Sequence, residues 1–384
     1  MYKRPIIHKQ FDKKDFNRLR QLVRLAALLH DVGHAPFSHG SEELFPNDLK
    51  HEDYSIAIIR SCFSSIIEKY FPDIKVDELT TLLREGYLSA ELVFLGKIID
   101  GELDADKLDY LLRDSYYCGV RYGKYDLERI LDTITVVPTD GTLSGPAGFW
   151  LLGIDSDGIQ AVEELIFARY WMFIQVYFHK TRRIYDHYLV SFLKNFLEEE
   201  YGGHYPSPDN LDLYLAFDDC TIFEALIKRK DTNIWAQQIY ERKHLSEAFV
   251  TLPHQTGLDS YLIIKDLIQL FVVKFGQDPI GIYVDDKARK LPTNPFFGMN
   301  QQEESEDDED AKGFASIVVQ DKHNPENNRS IFELSLPLQL LSKRKINIVR
   351  FYVKRDMKEE AAVWCNEQYA CLKQKVKQIT ERWT

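Results

Sequence analysis

The stretch Leu25–His39, L-A-A-L-L-H-D-V-G-H-A-P-F-S-H, constrains this chain more than any other. Apolar Leu19, Leu22, Val23, Ala26 and Leu29 recur at helical spacing and predict a helix from Phe16 to Leu29, after a polar loop over residues 1–15. Gly33 and Pro36 cannot continue that helix, so His30 and Asp31 arrive side by side at its C-terminal end. Neighbouring helical positions diverge by roughly 100°. A ligand shared by the pair therefore needs the helix to stop there, beside an open cleft. Imidazole nitrogen and carboxylate oxygen both ligate Mn, Fe, Co, Ni or Zn, and aspartate also suits Mg. His34 and His39 follow on the turn. Three histidines and an aspartate within ten positions are hard to attribute to packing.

Further along, Pro46-Asn47-Asp48 predicts a turn, and His51 then opens a helix with Ile58, Ile59, Cys62, Ile66 and Ile67 on its inner side. Backbone N–H groups at such a helix start favour an anion such as phosphate. In Gly101–Ser115, Leu108, Leu111 and Leu112 mark one side of a helix, while Asp106, Tyr110 and Asp114 share another at intervals of four. Asp104 reads as its cap and Asp109 as a structural hydrogen-bonding group. The Tyr- and Gly-rich run Tyr116–Gly123 suits either a packed loop or the wall of a sugar or base pocket. Ile134–Val137 with the turn residues after Pro138 suggests a short hairpin. From Gly158 to about Leu197 the pattern is one long amphipathic helix, with Arg169, Phe173, Tyr177 and Lys180 on one stripe. Two cations separated by two aromatics suit a polyphosphate and a sugar ring.

The HD-x-GH-x-PFSH motif (His30 to His39) resembles the HD-domain metal phosphohydrolases, in the branch that includes the deoxynucleoside triphosphate triphosphohydrolases, dGTPase among them. Asp104–Asp114 is similar to that branch's D-x-D-K-x-D-Y-x-x-R-D signature, and Arg169 with Tyr177, His179 and Lys180 to its R…Y-x-H-K segment. The resemblance implies a mainly α fold, an HD-domain helical core followed by a C-terminal α+β extension. It implies a divalent metal on His30, Asp31 and Asp106, and hydrolysis of a dNTP to deoxynucleoside and tripolyphosphate. His34 and His51, with Glu42 orienting the acid, would serve catalysis. His39, Lys107, Tyr110, Asp114, Arg169, Tyr177, His179 and Lys180 would bind substrate. The family's fourth ligand is a histidine on an upstream helix. His8 does not match its setting, so the chain is expected to be N-terminally shortened. Other HD chemistry, on phosphodiesters or (p)ppGpp, and a non-catalytic nucleotide sensor are the competing readings.

With 384 residues the chain has room for two domains, placed here at 1–200 and 201–384. Short β-rich runs at Ile280–Val284, Ser316–Val319, Ile331–Leu334 and Ile346–Val353 precede a terminal helix from Lys358, and the acidic run Gln301–Asp310, within a loop at about 301–312, should stay disordered. A net charge of −12 argues against a stable nucleic-acid complex or an anionic membrane partner. Five cysteines without a C-x-x-C pair fit reduced thiols and a cytoplasmic location. No apolar run approaches a membrane span, and the first residues lack a signal peptide's hydrophobic segment. From the family, a homo-oligomer is expected and an allosteric nucleotide is admitted.

Overall fold

The computed structural model describes residues 7, 10–139, 147–254, 258–276, 278, 280–286, 317–324, 326–342 and 346–383. His8 and the acidic run at 301–312 lie outside the described residues. The chain forms two compact units, one of Met1–Met172, Leu193–Phe223 and Phe296–Ser342, the other of Phe173–Phe192, Glu224–Pro295 and Lys343–Thr384. The fold is mainly α with small sheets, as the resemblance implies.

In the first unit, α1 (Lys13–Leu29) starts three residues earlier than the apolar pattern suggests. The reason is a cap: the Asp12 side chain accepts the Asp15 N–H at 2.8 Å, which extends the helix into the expected loop. Leu19, Leu22, Leu25, Ala26 and Leu29 bury its inner face. Arg18 grips both Glu78 oxygens at 2.9 and 2.7 Å and so ties α1 to α2 (Val76–Glu85) in the same unit. Between them lies the helix His51–Ile58, entered through Asn47 and Asp48 at positive φ (55° and 57°), residues that tolerate the left-handed region. A π turn over Ile59–Phe63 follows it. The extra residue in that turn rotates the register, so Cys62 and Ile66 face solvent rather than the core, while Ile59 and Ile67 stay buried.

Next come α3 (Val93–Ile99) and α4 (Ala105–Tyr117), the latter capped by Asp104, whose carboxylate accepts the Lys107 N–H at 2.6 Å. The predicted hairpin exists: Ile134–Pro138 pairs antiparallel with Trp150–Asp155, and Gly153–Asp155 then pairs parallel with Val318–Gln320, which meets Asn328–Ser330. Val93, Val137, Leu151 and Val318 pack between this sheet and α3.

The single long helix predicted from Gly158 is broken. It divides into α5 (Ile159–Met172), a π turn at Phe173–Tyr177, a gap at Phe178 and His179, and α6 (Lys180–Tyr201). Each irregular turn shifts the angular phase, so Arg169, Phe173, Tyr177 and Lys180 do not form one continuous stripe. Ile331–Leu334, read as a strand, is instead a helical turn capped by Ser330, whose hydroxyl accepts the Phe332 N–H at 3.3 Å.

The second unit holds an antiparallel sheet of Ser246–Val250, Arg350–Val353 and Ile282–Asp285, with Arg350–Val353 central. Phe249, Ile263, Leu267, Phe271, Phe351 and Cys365 form its core with the helices Leu258–Phe275 and Lys358–Trp383. The apolar pattern missed Ser246–Val250, where half-buried side chains leave only Phe249 deeply inside. Among the described residues no helix is long and apolar enough to cross a membrane.

Gly33 shows how tightly the first unit is built around its motif. A Cβ there would sit 2.2 Å from the His51 carbonyl oxygen and 2.3 Å from the Ser55 nitrogen, both backbone atoms that cannot swing away. Gly33→Ala should therefore cost about 1–3 kcal/mol and lower Tm by several degrees in a thermal melt. An unchanged Tm would show that the two segments do not pack this closely.

Candidate metal centre

His30 is the C-cap of α1, still in helical geometry, and its backbone N–H reaches the Ala26 carbonyl at 2.9 Å. Its Nδ1 lies 2.9 Å from the Ala27 carbonyl, a partner that only accepts, so Nδ1 donates there and Nε2 is the nitrogen left to face the carboxylates. That Nε2 sits 3.3 Å from Asp31 Oδ1 and 3.4 Å from Asp106 Oδ2. Two ligands about 2.1 Å from a shared ion stand about 3.0–3.4 Å apart at tetrahedral to octahedral angles. The three residues thus fit a divalent cation, and the second-layer hydrogen bond on His30 is the kind that orients a metal-binding imidazole.

Asp31 is also faced by two further imidazoles, His34 Nε2 at 3.5 Å and His51 Nε2 at 3.6 Å. Those two rings stack, with centroids 3.8 Å apart and planes 17° from parallel. An imidazole lone pair lies in its ring plane, so near-parallel rings at that spacing cannot both aim at one ion. Asp31, His34 and His51 form a second cluster of potential ligands, but this geometry suits proton donors better than a chelate. Burial alone would raise the Asp31 carboxyl; the hydrogen bond from His34 and the charges of His30, His34 and His51 hold it below the ordinary aspartate value.

Behind the pair stands Glu42, its Oε1 2.7 Å from His51 Nδ1 and 3.4 Å from His34 Nδ1. Burial works to lower the His51 pKa. The hydrogen bond with Glu42 and the charges of Glu52, Glu42 and Asp31 overcome it, so His51 titrates above the ordinary histidine value. An aromatic floor of Phe45, Tyr54, Tyr205 and Tyr214 supports this loop, and the Tyr214 hydroxyl donates to the Gly33 carbonyl at 2.7 Å.

The α4 residues split between surface and interior. Asp106 is half exposed at the cluster, whereas the Lys107 ammonium turns back to the Gly101 carbonyl at 2.9 Å and to the Asp104 carboxylate. Tyr110 and Asp114 follow on the same face, both half-buried, and Arg169 from α5 hydrogen-bonds the Tyr110 hydroxyl. The His39 side chain lies outside the described residues. Tyr177, His179 and Lys180 belong to the other unit. There the Tyr177 carbonyl accepts from Arg182 at 2.9 Å, the Thr181 N–H reaches His179 Nδ1 at 3.3 Å, and the Lys180 carbonyl accepts the Tyr352 hydroxyl at 2.9 Å. Sequence reasoning passed over Ser55 and Glu102. Ser55 follows His51 by one helical turn, a spacing that could have flagged it; Glu102 had only its apolar neighbour Leu103 as a signal.

Comparison with known proteins adds to this geometry. Residues 9–110 match the HD domain and residues 126–264 the HD associated region. The uncharacterized protein YwfO of Bacillus subtilis is 33% identical over 302 residues, 74% of this chain and 65% of that protein. A deoxynucleoside triphosphate triphosphohydrolase SAMHD1 homolog of Dictyostelium discoideum is 30% identical over 173 residues, 43% of this chain and 31% of that protein. A hypothetical protein of Aquifex aeolicus of known structure superposes with a TM-score of 0.68 at 28% identity, covering 90% of this chain and 79% of that one. The chain thus spans just under two thirds of the first of these relatives and about a third of the second.

Replacing Glu42 by Gln removes the acceptor that holds the His51 proton. The His51 pKa should fall toward the ordinary value, followed by NMR titration of its ring protons. A His51 pKa that does not move would show that Glu42 is not its partner.

Proposed function

With residues 9–110 an HD domain and residues 126–264 the region associated with it, we propose that this protein is a metal-dependent phosphohydrolase that cleaves deoxynucleoside triphosphates to deoxynucleoside and tripolyphosphate. The observation that carries this reading is the meeting of His30, Asp31 and Asp106 beside a stacked His34–His51 pair backed by Glu42. The motif similarity of Asp104–Asp114 and the activity named for the Dictyostelium relative favour a nucleoside triphosphate among phosphate esters.

When bound at His30, Asp31 and Asp106, a divalent cation (Mn, Mg, Fe, Ni, Co or Zn) supplies Lewis acidity toward a phosphoryl oxygen and a more acidic water. The chain's own groups do the rest. Asp31, held anionic by its imidazole neighbours, keeps a ligand charge in place down to acid pH. His51, with Nδ1 fixed by Glu42 and a raised pKa, carries a proton on Nε2 near neutrality and can give it to the leaving 5′-oxygen. His34 lies against it as a second donor. Arg169 and Lys107 supply positive charge for phosphate, Lys107 by exchanging Asp104 for the ligand. Tyr110 and Asp114 offer hydrogen bonds on the same helical face. The parts of His39, Tyr177, His179 and Lys180 in substrate binding, the two-domain division, the cytoplasmic location, a homo-oligomer and an allosteric nucleotide rest on sequence and family resemblance.

Purified protein with Mn²⁺ or Mg²⁺ should release nucleoside and tripolyphosphate from at least one dNTP, and a chelator should stop it. His30→Ala and Asp31→Ala should each lower turnover by more than about 100-fold with far-UV circular dichroism unchanged. Full turnover in either variant, or hydrolysis of no dNTP, would overturn the proposal.

A further inference from the structure

Glu102 sits on the loop before α4 and has no part in the roles given above. Its carboxylate lies 3.5 Å from Arg169 Nη1, and the two side chains are only 14% and 11% exposed. The same guanidinium hydrogen-bonds the Tyr110 hydroxyl, one helical turn beyond Asp106. A loop carboxylate and a phenol of the metal-bearing helix therefore share one buried cation. The pair is loose by comparison with Arg183, which holds both oxygens of Asp285 at 2.8 Å. A guanidinium has five N–H donors and can serve a carboxylate, a phenol and a phosphate oxygen together.

We propose that Glu102 is a positioning residue that holds Arg169 beside Tyr110 as an anion acceptor, and that it takes up a proton when a polyphosphate engages Arg169. This deepens the phosphohydrolase reading and rests on it. The physical basis is charge balance in a buried place. Arg169 from α5 and Lys107 from α4 face Glu102 with positive charge, Asp104 and Asp100 with negative. Burial pushes the Glu102 carboxyl up to about 7, against the pull of Arg169 and Lys107, so near neutrality both protonation states are accessible. A phosphate oxygen drawn to the same guanidinium adds a like charge and raises the carboxyl further. The carboxylate then gains a proton from solvent, forming one O–H bond and breaking none within the protein. Anion affinity should accordingly fall as pH rises through about 7, by up to about tenfold per pH unit for one linked proton.

The test is calorimetry of the metal-free full chain with inorganic tripolyphosphate at slightly alkaline pH, in two buffers of different ionisation heat. His51 also titrates, so the decisive quantity is the difference between wild type and Glu102→Gln, which keeps size and removes the titrating group. Wild type should take up as much as roughly three-quarters of a proton more than the variant, and the variant should lose the corresponding pH slope in affinity. In wild type alone, the carbon-13 carboxyl resonance of Glu102 should shift toward the protonated position on adding tripolyphosphate, a readout that holds even if the variant fails to fold. Equal uptake in both proteins, a stationary resonance or no tripolyphosphate binding would overturn the inference. The hydrolysis assay judges the function separately: dNTP turnover without Glu102-linked uptake leaves the enzyme reading intact and removes only this one.

Discussion

One serine hydroxyl sets the geometry on which the site depends. Ser55 donates to the His30 carbonyl and accepts the Gly33 N–H at 2.9 Å, pinning the end of α1 to the helix that begins at His51. The contact is only open to a residue without a side chain at position 33. His51 stands one turn before Ser55, so this pin also brings its ring over His34 and toward Asp31. Helix stop, glycine and histidine stack are thus a single packing event, completed underneath by Tyr214 and its aromatic neighbours.

Electrostatics then sorts the groups that packing has gathered. Asp31 stands among three imidazole nitrogens and remains an anion; His51, between Asp31 and Glu42, is biased toward its protonated form. Opposite shifts in neighbouring groups are how an environment sorts titratable residues into different roles. The chain as a whole carries a charge of −12, yet the cations Arg169 and Lys107 are kept inside, each against a buried carboxylate. An anion reaching Arg169 or Lys107 would meet charges that are already paired and would have to compete with those carboxylates.

Local sequence was a good guide at the start of α4 and at the first hairpin. Asp104 reads as a cap and is one; the Ile134–Val137 strand forms the hairpin its turn residues suggest. Periodicity failed where the helix itself changes pitch. The π turns at Ile59–Phe63 and Phe173–Tyr177 add a residue per turn, so Cys62 and Ile66 point outward and the stripe from Arg169 to Lys180 is interrupted. Ile331–Leu334 has strand-like composition but is claimed by the Ser330 cap.

By itself, the sequence determined that a helix must stop at His30 and Asp31, because Gly33 and Pro36 cannot propagate it and the apolar spacing before them can. It determined, too, that Asp106, Tyr110 and Asp114 share a helical face, a consequence of intervals of four. Only tertiary structure decided that Asp106 meets His30, that His34 stacks on His51, and that Glu102 shares Arg169 with Tyr110. Those pairs are separated by 17 to 76 residues, and no periodicity extends across such distances. What joins them is close packing around a bare glycine and the need of each buried charge for a partner.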